Sequence, residues 1–87
     1  MLATMYEGWH IEFTGHARRR LLERLVTEQE VLQAITAPDS VKSDTKHGGK
    51  LLSKYLPDWD KILVVAVDER TSEGVLIVKT VLWSKAK

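Results

Sequence analysis

The period of the hydrophobic pattern changes at Pro38, and this change decides which fold class is open to the chain. Before Pro38, apolar residues recur every three or four positions, which is the spacing of one helix face. In residues 15–25 that face contains Ala17, Leu21, Leu22 and Leu25. After Pro38, short apolar stretches alternate with turn residues, which is typical of β-strands. The sequence therefore predicts an α+β fold with helices first and strands later.

Capping signals mark where the helices begin and end. Thr14 is placed to be the N-cap of the first helix. Thr27 with Glu30 three residues later forms a capping box, which predicts a second helix directly after the first. The sequence 37–39, which contains a proline, ends this helix. We expect the two helices to form a closely connected pair.

Four strand-like stretches follow the helices. They are Val41–Lys46, Leu51–Leu56, Ile62–Val67 and Val75–Trp83. Turn residues separate them, including the consecutive glycines Gly48 and Gly49. The pattern predicts a four-stranded antiparallel sheet with the N-terminal helical pair packed on one face. We expect a single domain over residues 1–87, with an N-terminal segment at 1–13, a helical part at 14–37 and the sheet at 40–84.

Composition excludes several classes of protein. The chain has 87 residues and no cysteine, so disulfides, thiolate catalysis and cysteine zinc sites are ruled out. The first residues do not resemble a secretory signal, and no stretch is long and apolar enough to span a membrane. We therefore expect a cytoplasmic protein. Its net charge of +1 conceals four arginines between residues 18 and 24.

Three of the charged residues on the first helix share one face. His16, Arg20 and Arg24 are four residues apart, so they lie within about 80° of one another on a helical wheel. Guanidinium groups bind phosphate in a bidentate manner, and an imidazole gives or takes a proton near neutral pH. The pattern indicates an anion site, although a solvated or salt-bridged face has the same spacing.

The residues around this face resemble a known family. Phe13-Thr14-Gly15-His16-Ala17, followed by the two arginines, and the late stretch Val78-Lys79-Thr80-Val81 are similar to the small bacterial family catalogued as domain of unknown function 4258. Members often have Gly-Ile after the second arginine, where this chain has Leu25-Val26. The resemblance implies the fold of ribonuclease toxins of the barnase/RelE-like superfamily, in which a helical section packs on a four-stranded antiparallel sheet.

The same resemblance suggests where the sheet would complete a site. Thr80 is a candidate catalytic residue, and strand alternation places it on the face of Val78 and Leu82. Lys50 and Lys54 are candidate substrate-binding residues on the predicted hairpin, although lysines on an edge strand also discourage strand pairing. Arg19 lies on another side of the helix, where it is either solvated or a secondary contact to a nucleic-acid backbone.

The remaining histidines do not support a metal site. His10, His16 and His47 are not at metal-ligand spacing, so we predict no zinc or iron centre. The leading hypothesis is a metal-independent ribonuclease, such as the toxin of a toxin–antitoxin pair, with His16 as acid or base and Arg20 and Arg24 holding the scissile phosphate. It implies RNA as substrate, an antitoxin protein as partner and no cofactor. One alternative is a non-catalytic module that binds nucleic acid or another anion. Another is a homodimeric regulatory protein that binds haem or a small ligand.

Overall fold

A five-stranded mixed sheet is the central element of the structure, a computed structural model that describes residues 6–85. The elements in chain order are β1 (His10–Phe13), α1 (Gly15–Arg24), α2 (Glu28–Thr36), β2 (Ser40–Ser43), β3 (Lys50–Leu56), β4 (Lys61–Arg70) and β5 (Val75–Lys85), with a single 3-10 turn at Thr71–Glu73. Within the sheet the strand order is β1-β5-β4-β3-β2. The predicted α+β class and the two helices are confirmed.

The four predicted strands are present and pair antiparallel, but the prediction of a four-stranded antiparallel sheet was incomplete. The segment before α1 supplies a fifth strand, which makes the sheet mixed. β1 runs parallel to β5, with His10 opposite Val75 and Phe13 opposite Val78. Its ends are fixed by main-chain hydrogen bonds from His10 to Gly74 and from Thr14 to Val78. β1 has only four residues and no long apolar run, so its pairing depends on β5 and is not visible locally. Residues 1–5 of the predicted N-terminal segment lie outside the described residues.

The predicted helix caps are confirmed. The hydroxyl of Thr14 accepts the Ala17 N–H at 3.0 Å. Thr27 and Glu30 form a reciprocal capping box, with hydrogen bonds of 2.9 and 3.1 Å. Each cap satisfies main-chain donors that the first helical turn leaves free. α2 ends at Thr36, two residues before the proline.

The apolar face predicted for α1 was partly wrong at its C-terminal end. Ala17 and Leu21 are buried, but Leu22 and Leu25 are 80% and 72% exposed. The helix stops at Arg24, and Leu25 adopts the left-handed conformation with φ 57°. This turn lets the Val26 N–H bond the Leu21 carbonyl at 2.9 Å and puts the Val26 side chain into the core. The exposure of Leu25 follows from its place in the cap.

One face of the sheet carries the core. α2 packs against β3 and β4, while α1 packs against β5 and β1. The largest fully buried side chains come from both layers: Val31 and Ile35 of α2, and Leu52, Leu63, Val65, Val67, Leu76, Val78 and Val81 of the sheet. On the other face, Ile62 and Val64 are only half-buried. Among residues 6–85, no helix is long and apolar enough to cross a membrane.

The helix α1 also closes an open edge of β5. Because β1 ends at Phe13, it pairs with β5 only as far as Val78. The next outward carbonyls are those of Lys79 and Val81, and side chains of α1 and its cap bind both. The Thr14 hydroxyl donates to the Lys79 carbonyl at 3.2 Å, and Arg24 Nη1 donates to the Val81 carbonyl at 3.1 Å. Side-chain donors thus replace a missing strand at this edge.

Candidate functional site

A cleft of about 340 Å³ opens between the start of α1, the loop after β2 and the middle of the sheet. Its volume lies in the lower part of the usual range for small-molecule sites, about 300–1,000 Å³. The cleft combines two imidazoles, a carboxylate, an ammonium group and a hydroxyl. Its lining residues are His16, Asp44, His47, Ala66, Lys79 and Thr80.

His16 reaches the cleft from the first turn of α1. Its Nε2 accepts a hydrogen bond from Arg20 Nε at 3.4 Å, near the upper limit for such a contact. Arg20 also donates to Glu23 through Nη1. A ring nitrogen that accepts a hydrogen bond is unprotonated, so this contact fits the neutral His16 tautomer with its proton on Nδ1. Arg20 therefore orients His16 and adds positive charge next to the cleft.

A β-bulge brings Thr80 and Lys79 to the cleft. Ala66 of β4 pairs with Thr80 and the next residue, Val67, pairs with Val78, so Lys79 is an extra residue in β5. The extra residue breaks the alternation on which the predicted face of Thr80 depended. Val78 is fully buried in the core, whereas Thr80 lies opposite Ala66 and lines the cleft. The prediction that Thr80 shares a face with Val78 was therefore wrong. Bulges often redirect side chains beside active sites.

The loop 44–49 forms the second wall of the cleft. Asp44 Oδ1 accepts the main-chain N–H groups of Lys46 and His47 at 3.3 and 3.1 Å. The Asp44 N–H bonds the Gly49 carbonyl at 3.0 Å, which closes the loop. This turn ends β2 at Ser43, so the strand predicted to reach Lys46 stops three residues earlier. The loop presents Asp44 and His47 together.

Two contacts fix this loop against the sheet. Lys79 Nζ donates to the Gly48 carbonyl at 2.8 Å. Gly49 has φ 79°, and a Cβ atom built on it would lie 2.1 Å from the Val67 carbonyl oxygen. Only glycine permits this approach and this backbone conformation together. The bulge residue and the close glycine therefore hold the loop over the cleft.

Asp44 is the acidic group of the cleft. Its pKa lies below the ordinary value, first because it accepts the His47 main-chain N–H. The charges of the His47 imidazole and Lys79, and the Lys46 N–H, act in the same direction. The second carboxylate oxygen, Oδ2, lies 3.6 Å from His47 Nδ1. The carboxylate is therefore ionised at neutral pH and faces one ring nitrogen of His47, which leaves Nε2 available to a ligand.

The predicted site residues divide between the cleft and other parts of the molecule. His16 and Thr80 line it, and Arg20 contacts His16. Arg24 instead binds the Val81 carbonyl, and exposed Arg19 is not a lining residue.

The two hairpin lysines also lie outside the cleft lining. Lys50 forms an ion pair with Glu69 at 3.2 Å, and Lys54 donates to the Ala37 carbonyl at 2.9 Å. These contacts give Lys50 and Lys54 structural partners.

The sequence interpretation did not identify Lys79, His47 or Asp44 as site residues. Asp44, followed three residues later by His47 and then by two glycines, is a turn signal of the kind in which an aspartate binds main-chain N–H groups. It could have indicated that the loop presents a histidine. Lys79 had no such local signal. Within residues 6–85, no group of three or more His, Cys, Asp or Glu side chains is arranged to hold a metal ion.

A family model matches most of the chain. No curated protein and no solved structure matches the sequence. The family model described as Domain of unknown function (DUF4258) matches residues 13–83, from the end of β1 to near the end of β5. The match includes every residue that lines the cleft. The chain therefore belongs to the family described as Domain of unknown function (DUF4258).

Proposed function

We propose that this protein is a metal-independent ribonuclease that cleaves RNA in the cleft beside His16. One observation carries the proposal: His16 from α1 and Thr80 from β5, which the sequence suggested separately, line the same cleft beside Lys79. RNA cleavage without a metal needs a group that takes the proton of the 2′-hydroxyl, and donors that stabilise the crowded phosphate. The cleft contains a residue for each requirement.

His16 is the base in this proposal. Its Nε2 lone pair is held by Arg20 through a contact of 3.4 Å, which is long enough to be exchanged easily. A bound phosphate would draw the guanidinium of Arg20 to itself, because charge-assisted hydrogen bonds to phosphate are stronger than one to a neutral imidazole. Nε2 would then be free to accept the 2′-hydroxyl proton. Substrate binding and activation of the base are thus coupled through Arg20.

Lys79 and Thr80 bind the phosphate in this proposal. Lys79 Nζ donates to Gly48 in the free protein, and an ammonium group has further N–H donors for a phosphate oxygen. The Thr80 hydroxyl is a neutral donor on the same strand and lines the same cleft. Arg24 takes no part, since its guanidinium binds the edge carbonyl of Val81. His16 and Arg20 keep the roles that the sequence suggested, Thr80 acts as a phosphate donor, and Lys79 replaces Arg24 as a source of positive charge.

The test measures RNA cleavage and RNA binding separately. A fluorescent single-stranded RNA with all four bases is incubated with purified protein in excess EDTA. We expect cleavage by the wild type, a loss of about 100-fold or more in His16→Gln, and RNA affinity within a few-fold of the wild type. His10→Gln is the matched control, because His10 is exposed on β1, where its imidazole lies beside Glu12 and outside the cleft lining.

Two other outcomes would reject the catalytic role. RNA binding without cleavage by the wild type would favour a non-catalytic binding module that uses the same cleft. Cleavage that is unchanged in His16→Gln would exclude His16 as the base.

Expression in a bacterial host tests whether the protein is a toxin. We expect growth arrest by the wild type and normal growth with His16→Gln. A toxin would also require an inhibitory partner protein in its own host.

A further inference from the structure

We infer that His47, oriented by Asp44, is a second proton-transfer residue in the cleft and acts as the acid that protonates the leaving oxygen. The inference rests on the proposed ribonuclease function and adds a residue that the sequence analysis considered only as a possible metal ligand. His47 and His16 line one cleft from two elements that are distant in sequence. Metal-independent cleavage requires a base for the 2′-hydroxyl and an acid for the leaving oxygen, and two imidazoles can fill these two roles.

The hydrogen bonds of the loop indicate that His47 is held in a defined position. Asp44 Oδ1 binds main-chain N–H groups, and its Oδ2 is left to face His47 Nδ1 at 3.6 Å. One aspartate therefore shapes the loop and orients the imidazole. Two contacts hold this loop against the sheet. Gly49 lies so close to the main chain of Val67 that a Cβ atom would not fit, and Lys79 donates a hydrogen bond to Gly48.

The surroundings of the two histidines suit opposite roles. His16 has the guanidinium of Arg20 on Nε2, an arrangement that requires this nitrogen to be unprotonated. His47 has the carboxylate of Asp44 on Nδ1, an arrangement that accommodates a proton there and leaves Nε2 to carry a second. Lys79 on β5 also faces the loop, since it donates to Gly48 and its charge acts on Asp44. His16 is thus prepared to accept a proton, and His47 to donate one.

The proposed step balances without a further reactant. The 2′-hydroxyl gives its proton to His16 Nε2 as its oxygen bonds to phosphorus. The bond from phosphorus to the 5′-oxygen breaks, and His47 Nε2 gives its proton to that oxygen. The products are a 2′,3′-cyclic phosphate and a free 5′-hydroxyl. His16 ends protonated and His47 neutral.

The test compares two leaving groups. One substrate set is the four dinucleoside monophosphates with adenosine as the 5′-linked leaving nucleoside. The other set is the four nucleoside 3′-(4-nitrophenyl) phosphates, whose phenolate leaves without a proton. We expect His47→Gln to lose about 100-fold or more on the first set and under about 10-fold on the second. His16→Gln should lose activity on both, because both need the base.

Asp44→Asn tests the orienting role. Its amide oxygen can still accept the loop N–H groups, but the charge beside His47 is removed. We expect a smaller loss than in His47→Gln, again confined to the dinucleotides. His47→Gln should also abolish the decline of the dinucleotide rate at high pH, where an acid loses its proton. A purely structural role of the loop would lower both rates equally at every pH.

The outcomes separate this inference from the function on which it rests. If the wild type cleaves both substrate sets and His47→Gln loses equally on both, or not at all, His47 is not the acid and the ribonuclease proposal stands. If the wild type cleaves neither set, the ribonuclease proposal fails and the role of His47 falls with it. The His47 side chain is 69% exposed, so its substitution should leave the melting temperature unchanged, and His10→Gln is again the control.

Discussion

The guanidinium of Arg24 donates a hydrogen bond of 3.1 Å to the main-chain carbonyl of Val81. The carbonyl of Arg24 in turn accepts the indole N–H of Trp83 at 2.9 Å. The end of α1 is thereby attached to β5 where β1 no longer covers the strand. Arg24 thus has a structural partner in place of the phosphate that its helical position suggested.

Replacement of Arg24 should therefore lower stability rather than ligand binding. Arg24→Ala leaves the half-covered Val81 carbonyl without its charged donor, and we expect a loss of about 1–3 kcal/mol in the free energy of unfolding. Urea denaturation followed by circular dichroism measures the loss. Arg20→Ala is the comparison, because the hydrogen bonds of Arg20 to His16 and Glu23 are surface contacts on its own helix. Weakened RNA binding with unchanged stability in Arg24→Ala would show that Arg24 is a ligand-binding residue.

Substitution of Leu25 by glycine should stabilise the protein. Leu25 has φ 57°, a conformation that costs a residue with a side chain about 1–2 kcal/mol and costs glycine almost nothing. The Leu25 side chain is 72% exposed, so its removal sacrifices little burial. Glycine also increases the conformational entropy of the unfolded chain, which offsets part of this gain. We expect the free energy of unfolding to rise by a net amount of about 0.5–1 kcal/mol.

The control for Leu25→Gly is Leu22→Gly. Leu22 is even more exposed, at 80%, but it lies inside α1 with ordinary helical geometry. Glycine there should destabilise by about 1 kcal/mol. Equal destabilisation by both substitutions, measured as melting temperatures, would contradict the conformational explanation.

The features that the sequence predicted best depend on residues that are close to one another along the chain. The caps at Thr14 and Thr27 follow from side chains that bind main-chain groups three residues away, so they could be identified without the fold. β1 could not, because a four-residue strand gains its definition from pairing with β5, which is distant in sequence. The end of α1 could not be located from the local pattern either. The apolar spacing predicted a helix that includes Leu25, whereas the helix ends at Arg24 and Leu25 forms the turn.

In the candidate site too, the sequence predicted what local spacing determines and missed what depends on contacts between distant elements. The helical spacing correctly placed His16 beside Arg20, since four residues make about one turn. It could not show that Arg24 binds a strand carbonyl, nor that a bulge makes Lys79 an extra residue, because both depend on how β5 meets its neighbours. Thr80 was selected with the wrong face assigned to it. The roles of all these residues in catalysis stay predictions.

Alkaline pH should reveal the environment of the two tyrosines. Burial raises the pKa of the Tyr6 hydroxyl far above its usual range, and its hydrogen bond of 2.8 Å to Glu69 acts in the same direction. The pKa of Tyr55 is also raised, first by its hydrogen bond to Asp60. We expect tyrosinate absorbance at 295 nm to appear at a higher pH in the folded protein than in 6 M guanidinium chloride.

Tyr6→Phe should remove one part of the pH dependence of stability. Because the folded-state pKa is raised, the stabilisation is fully present below pH 10, the ordinary value, and is lost as the pH rises above it. We expect the wild type to exceed Tyr6→Phe by about 1–2 kcal/mol at pH 7 and by progressively less above pH 10. A difference that stays constant from pH 7 to pH 11 would contradict the linkage.

Gly49→Ala should displace the loop that carries His47. The new Cβ would lie 2.1 Å from the Val67 carbonyl oxygen and 3.3 Å from Lys79 Nζ, in a backbone conformation that alanine avoids. The carbonyl belongs to a central strand and cannot move, so the loop has to shift. Gly48→Ala is the matched control, because Gly48 has a similar φ of 80° but open space around an added Cβ. Within residues 6–85, no atom beyond its two chain neighbours lies within 4 Å of that Cβ.

The two glycine variants therefore separate backbone strain from steric displacement. We expect Gly48→Ala to cost about 1 kcal/mol, and Gly49→Ala at least about 2 kcal/mol more. In a two-dimensional NMR spectrum, Gly49→Ala should also shift the amide signals of Asp44 and His47, whose hydrogen bonds define the loop. If both variants cost the same and the loop signals do not move, the loop is not held by the contact between Gly49 and Val67. The cleft wall would then depend on the bond from Lys79 to Gly48 alone, and Lys79→Met would become the substitution that opens it.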